Sequence, residues 1–501
     1  MRKLLLPILV FALVLSSCQD DLTSLNEDPK SASDVPAEPL FSNALVSLGT
    51  LNNSVDYNTN MFVHMAQYWS QTTYNDESSY DLTTREIPDN YWSEIYRNVL
   101  NDLKESSVLV SENELLSDAE KQNMQAQINI IEVMAYYQLV TTFGNVPYNE
   151  ALDTENPSPS YTGQAEIYNS LMSNLNTAIS NLSTGADGFS ASADVFYSGD
   201  VASWQRFANS LKMRMAMTVV DVPGSVDFDP QSAFEAASPN AFTSNEHSLA
   251  LQYNSALPHA NPVWERVINS GRDDFVPSDT FIDKLKELDD PRLPLHFSQV
   301  GGEYVGGPYG AQNDYSNYSH IVGPLIETAF EGMQLEYAEV EFLRAEAAVR
   351  GWTTGVGTGL AADHYAEAIG ADMQYWSNAS SEEEITSTDI SNYLAQTEVA
   401  FPATGQEAQL NAIAEQKWLG LYMQGRQAWV EWRRLDHPTF NYQDIDNPNV
   451  TSEDDIPVRF TYPADEQNLN ESNWEEASSA IGGDELNTLL FWDTDYATAN
   501  P

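Results

Sequence analysis

Apolar residues recur along this chain in steps of three and four. Leu40, Ala44, Leu45 and Leu48 share one helical face, and Trp92, Ile95, Tyr96, Val99, Leu100 and Leu103 line another. The next helix is signposted at both ends. Ser117-Asp118-Ala119-Glu120 fits a capping box, Met124, Ile128, Ile131, Ala135 and Leu139 share a face, and Gly144 followed by Pro147 marks the stop. Ile167 to Leu182 predicts a helix ending near Gly185. Trp204, Phe207, Ala208, Leu211 and Met215 predict one more, with Ser203 placed to cap it. Leu335 to Val349 continues the series up to Gly351, and a last run passes through Leu410, Ile413, Lys417 and Leu421 towards Trp432.

Between these helices, residues 57–91 and about 222–330 hold more turn formers and aromatics than any helical period, and they read as inserted loops. Loops of that length in a compact chain usually carry function. The fold class expected is therefore mainly α with few strands. Helices of this length joined by turns suit tetratricopeptide-like pairs, each burying its apolar face on a neighbour. The repeat signal itself is faint. Only Trp92–Leu103 and Trp204–Met215 resemble each other, with an aromatic opening each helix.

The amino terminus differs from the body. Arg2 and Lys3 precede an apolar stretch from Leu4 to Leu15, then Ser16, Ser17 and the chain's single cysteine, Cys18. This is a secretory signal shape, too short to span a bilayer comfortably. Leu15-Ser16-Ser17-Cys18 resembles a bacterial lipobox. Residues 1–17 are then the lipoprotein signal, Cys18 the acylated residue, 18–39 a polar tether with Pro29, Pro36 and Pro39, and 40–501 one domain.

Composition narrows the function. With 22 Lys and Arg against 74 Asp and Glu, the formal charge is −52, which disfavours a nucleic-acid partner. The 42% hydrophobic and 11% aromatic content is ample for a core. One cysteine excludes internal disulfides, cysteine zinc sites and CxxC redox chemistry. No GxSxG elbow or phosphate loop occurs, and the GxGxxA string from Gly357 to Ala362 reads as a turn, so no cofactor is expected. The seven histidines are scattered, and Asp444 and Asp446 begin like a calcium loop that Pro448 interrupts, so no metal site is assigned. A glycosidase would need two carboxylates at a set separation, and the acids single out no pair.

Aromatic density in the two long segments stands out: Tyr68, Trp69, Tyr74 and Tyr80 in the first, Tyr304, Tyr309, Tyr315 and Tyr318 in the second. Sugar C–H faces stack on rings, and sugar hydroxyls need amide and carboxylate partners, for which Asn75, Asp76, Asn313 and Asp314 are at hand. Any one tyrosine could equally pin its loop to the frame. Trp69, paired with a ring of the second cluster, is the favoured ligand contact.

Several segments then carry a family resemblance. Beside the lipobox stand Phe143-Gly144-Asn145-Val146-Pro147-Tyr148, Phe207 to Arg214, Asn261-Pro262-Val263-Trp264, Asp290-Pro291-Arg292-Leu293 and Arg344-Ala345-Glu346-Ala347. Arg459 to Pro463, Glu466, Gly482-Gly483-Asp484 and Phe491-Trp492-Asp493 follow. Together they resemble the SusD/RagB family of Bacteroidetes outer-membrane lipoproteins. The resemblance implies four tetratricopeptide-like helix pairs beside a looped, ligand-binding half, on a non-enzymatic, surface-exposed lipoprotein. It implies capture of a glycan and its transfer to a SusC-like TonB-dependent transporter, with the motif segments near Gly144, Arg292 and Arg344 structural. The acidic surface favours a neutral glycan, with laminarin-type β-glucan the first choice and starch or another neutral glucan the second. A surface glycosidase or lyase acting on polysaccharide, and a repeat protein that docks other proteins, are the alternatives.

Overall fold

The computed structural model describes residues 36–381 and 384–494. Helix α1 (Ala37–Leu51) packs on α2 (Asn101–Glu112), and α3 (Asp118–Phe143) on α4 (Gln164–Asn181). α5 (Val201–Thr218) follows, touching α3 and α4. Then α6 (Tyr337–Val349) packs on α7 (Ala361–Ala379), and α8 (Gln406–Gly420) on α9 (Gly425–Leu435). The mainly α frame is thus built of four sequential helix pairs. Among the described residues there are also six short strands: β1 (Trp69–Gln71), β2 (Val146–Pro147), β3 (Tyr161–Thr162), β4 (Leu249–Leu251), β5 (Phe275–Pro277) and β6 (Gly332–Leu335). They pair antiparallel as β1 with β5, β2 with β3 and β4 with β6. No described helix is long and apolar enough to cross a membrane. Cys18, the lipobox and most of the tether lie outside the described residues.

The capping box forms as its sequence requires. Ser117 Oγ accepts from the Glu120 amide at 3.3 Å, and Glu120 Oε2 accepts from the Ser117 amide at 2.8 Å. Other expectations change. Asp200, not Ser203, caps α5, accepting from the Ala202 and Ser203 amides, while the Ser203 hydroxyl donates to Asp200 at 2.6 Å. A carboxylate outcompetes a hydroxyl for amides at the positive end of a helix. The run from Leu410 to Trp432 breaks into α8 and α9. Met423 turns left-handed at φ 70°, and Gly425 lies so close to the Phe62 backbone that a Cβ would sit 2.5 Å from its carbonyl carbon. The two long segments are less irregular than expected. They hold β1, β4, β5, a π-helical turn over Val55–Phe62 and helices over Pro230–Ala237 and Asp279–Glu287, each too short to show a period of its own.

Ion pairs join the helices inside. Arg434 donates to both oxygens of Glu346 at 2.6 Å and to Glu431 at 2.6 Å, and Lys417 meets Glu431 at 2.8 Å. Glu346 also accepts from Arg350, which reaches Asp221 beyond the end of α5 at 2.8 Å. Arg214 of α5 grips Glu339 of α6, and Arg292 joins Asp290 to Asp372 of α7. Two further guanidinium groups close the end of α3, Arg433 donating to the Thr141 carbonyl and Arg459 to the Phe143 carbonyl, each at 2.9 Å. Cations there complement the helix dipole. Arg459 also meets Asp484 at 2.8 Å, which explains why the segments around Gly144, Arg459 and Asp484 belong together.

Burial pushes the Glu431 carboxyl up, but Arg434 and Lys417 outweigh it and hold it at about 2. Its contribution to stability is therefore complete above its ordinary value of 4.5 and is lost as pH falls towards 2. Replacing Glu346 by Gln leaves Arg434 with Glu431 and Arg350 with Asp221, but takes one carboxylate from a network of three cations and three acids and so leaves one buried positive charge uncompensated. Denaturant unfolding of Glu346→Gln is expected to show a loss of about 3 to 5 kcal/mol.

Candidate functional site

Strand β1 sets Trp69 opposite Pro277, Ser70 opposite Val276 and Gln71 opposite Phe275, so the first aromatic segment lies directly on the second. The clasp turns many of its rings inward. Trp69 is fully buried; its Nε1 donates to the Tyr422 hydroxyl at 3.0 Å and its ring lies 5.5 Å from Phe275. Tyr68 is equally buried, with its hydroxyl on the Trp418 carbonyl at 2.5 Å and its ring stacked on Trp418. Tyr309 donates to the His64 carbonyl at 2.6 Å, and Tyr80 packs beside it. Buried Asn313 donates to Ser70 Oγ at 2.8 Å and to the Ala311 carbonyl at 2.9 Å, tying the two segments together.

These positions correct the expectation that Trp69, Tyr68, Tyr80, Tyr309 and Asn313 face a ligand. The Trp69, Tyr68 and Tyr309 tips donate internally, the Tyr80 hydroxyl accepts from Gln67, and no ring face is left for a sugar. His64 sits in the same layer. Burial pushes its imidazole down to about 4, and it is hydrogen bonded to the Trp69 carbonyl at 2.9 Å.

The remaining candidates lie further out. Tyr74 is 64% exposed at the tip of the turn after β1, in a left-handed conformation. Asn75 and Asp76 are half-buried beneath it, their carbonyls accepting from the Ser79 and Asp81 amides. The turn is anchored by buried Glu77, which holds Arg85 at 3.0 Å and accepts from Gln71 at 3.1 Å. In the second segment, exposed Asp314 caps a short turn by accepting from the Ser316 amide at 3.1 Å. Half-buried Tyr315 stacks on His320 at 3.9 Å and 9°. Tyr304 and Tyr318 are half-buried nearby in sequence.

Arg272 bridges these features to a cleft. Its Nε donates to Asp274 at 2.6 Å, and Asp274, with the Tyr74 phenol adding to the field, holds the guanidinium pKa up. Asp273, next in the chain, helps burial push the Tyr315 phenol up. Arg272 also lines a cavity of about 960 Å³, with Tyr253, Asn254, His259, Glu265 and Arg266. Val46, Thr50, Val195 and Leu251 give it a frame-borne wall, and Asp56 holds Arg266 at 3.3 Å. Tyr253 also borders an inner cavity of about 30 Å³, enough for one water. Glu336 lines that inner space, its carboxyl pushed well up by burial and then by Asp372. Among the described residues no group of three or more His, Cys, Asp or Glu is placed to hold a metal.

Sequence reasoning missed Arg272, Tyr253, His259 and Arg266. The available signal was scarcity, since Arg266 and Arg272 are among few cations in a strongly acidic chain and both fall within the long second segment.

The paired-helix frame has well-defined relatives. The family described as "Starch-binding associating with outer membrane", SusD-like, matches residues 29–463, and the chain belongs to it. A chitin-binding protein of known structure shares 25% identity over 92% of this chain and 100% of its own, with a TM-score of 0.78. A chitin-binding SusD homolog from Flavobacterium johnsoniae shares 22% over 92% and 99%, with a TM-score of 0.77. A SusD homolog from Bacteroides ovatus gives the same identity, coverage and score. No curated protein matches the sequence.

Because the Trp69 ring fills the joint between β1 and α8–α9, Trp69→Ala is expected to cost about 3 to 5 kcal/mol of folding stability. Thermal or denaturant unfolding checks this.

Proposed function

We infer that this chain is a lipid-anchored surface protein that captures a neutral oligosaccharide and passes it, uncut, to a SusC-like TonB-dependent transporter in the outer membrane. The observation that carries this reading is the cleft of about 960 Å³, whose lining residue Arg272 is tied through Asp274 to the turn that carries the exposed Tyr74 ring, with Tyr315 in the field of neighbouring Asp273. Its volume suits a short oligosaccharide. Rings offer stacking faces, while Asn254, His259 and the two guanidinium groups offer hydrogen bonds to hydroxyls. The family's association with the outer membrane fits the lipobox at Cys18, which supplies an anchor without a spanning helix.

Neutrality follows from the charge of −52, which repels carboxylated or sulfated polymers at long range. Laminarin-type β-glucan remains the first candidate. Chitin oligosaccharides are the second, favoured by the chitin-binding relative at 25% identity. Both are uncharged, and both present C–H faces to rings.

Affinity electrophoresis against laminarin, starch and soluble chitin oligosaccharides, with a reducing-end assay on the same mixtures, tests the reading. Retardation by a neutral glycan without released ends is the expected result; release of ends would establish an enzyme instead. Tyr74→Ala and Tyr315→Ala are each expected to weaken binding by about 1 kcal/mol, the scale of one ring contact. Unchanged affinity in both would move the site away from this rim.

A further inference from the structure

A second groove, sharing no lining residue with the cleft, runs along the outer face of α5. Gln205, Arg206, Asn209 and Lys212 fall on one helical stripe and form one wall; Asn240 and Thr243 contribute to the other. The groove encloses about 530 Å³, and no Asp or Glu lines it.

Its two cations are unusual in this molecule. Every other Lys and Arg among the described residues holds a carboxylate, a carbonyl, a hydroxyl or an aromatic ring. The Arg206 and Lys212 side chains make no ion pair or hydrogen bond among the described residues. Asp200, which caps α5, is held down by its hydrogen bond from Ser203 and also feels the charge of Arg206, but forms no ion pair with it. Lys212 is half-buried, and desolvation alone acts on its ammonium, pushing its pKa down. Desolvating a cation without a counter-ion is unfavourable, so an anion entering the groove would recover that free energy. In so acidic a chain, two cations without ion pairs lining one acid-free groove form a local reversal of charge.

We propose that the α5 groove is a binding site for a small hydroxylated anion, of the size of a sugar acid or sugar phosphate. Arg206 and Lys212 hold its carboxylate or phosphate, and Asn209, Asn240 and Thr243 hold its hydroxyls. The site is independent of the glycan cleft and stands or falls without it.

Isothermal titration of the full chain with glucuronate and with inorganic phosphate, at ionic strength fixed with sodium chloride and with glucose as the neutral control, tests the proposal. Saturable binding of at least one of the two anions, with none for glucose, is expected. The double variant Arg206→Gln/Lys212→Gln should lose about tenfold or more in affinity, the scale of removed charge-assisted hydrogen bonds, with an unchanged circular dichroism spectrum. Should the pair fail to fold, Arg206→Gln and Lys212→Met singly carry the same comparison. Saturation by phosphate alone would identify a phosphate site, and by glucuronate alone a carboxylate site. No saturable heat from either anion, or affinity unchanged in the folded variants, overturns the proposal.

Discussion

The buried guanidinium–carboxylate network is the constraint on which the frame depends. Arg434, Glu346, Glu431, Lys417 and Arg350 join α6, α8 and α9 to the end of α5, and Arg214 and Arg292 extend the links to α5 and α7. Well-packed apolar residues could supply comparable stability, but a charged lattice accepts only one register between neighbouring helices. A helix displaced by a turn would leave several buried charges unpaired at once. The helix pairs, with faces otherwise interchangeable, are thereby fixed in order.

The same economy of cations shapes the exterior. A chain with so few basic residues commits seven of its thirteen described arginines to the interior, so carboxylates dominate the surface. Neutral ligands approach it without penalty, and the few outward guanidinium groups, such as Arg272, gain weight as orienting groups.

Much of the frame was legible in the sequence because it depends on local signals. The faces of α1, α3, α4 and α5 repeat every three to four residues, and the Ser117–Glu120 cap is written within four positions. The loops were harder. Ring density marks the segments around Trp69 and Tyr309, but the side of the chain that becomes interior is decided by β1 meeting β5, some two hundred positions away. That pairing leaves no periodic trace. Exposure of Tyr74 and burial of Tyr68, six residues apart, follow from it and from nothing local. The cleft residues Tyr253 and Arg272 were hidden for the same reason, since they meet α1 only through the fold.

The β1–β5 clasp divides the aromatic residues into an inner and an outer layer with separate duties. Rings below it are locked by packing and by their own hydrogen bonds, while Tyr74 and the Tyr315–His320 pair stand on turns outside the helix pairs. Given the proposed role of the outward rings, descendants of such a molecule would exchange one carbohydrate diet for another by rewriting a handful of outward positions, while the scaffold beneath is inherited intact.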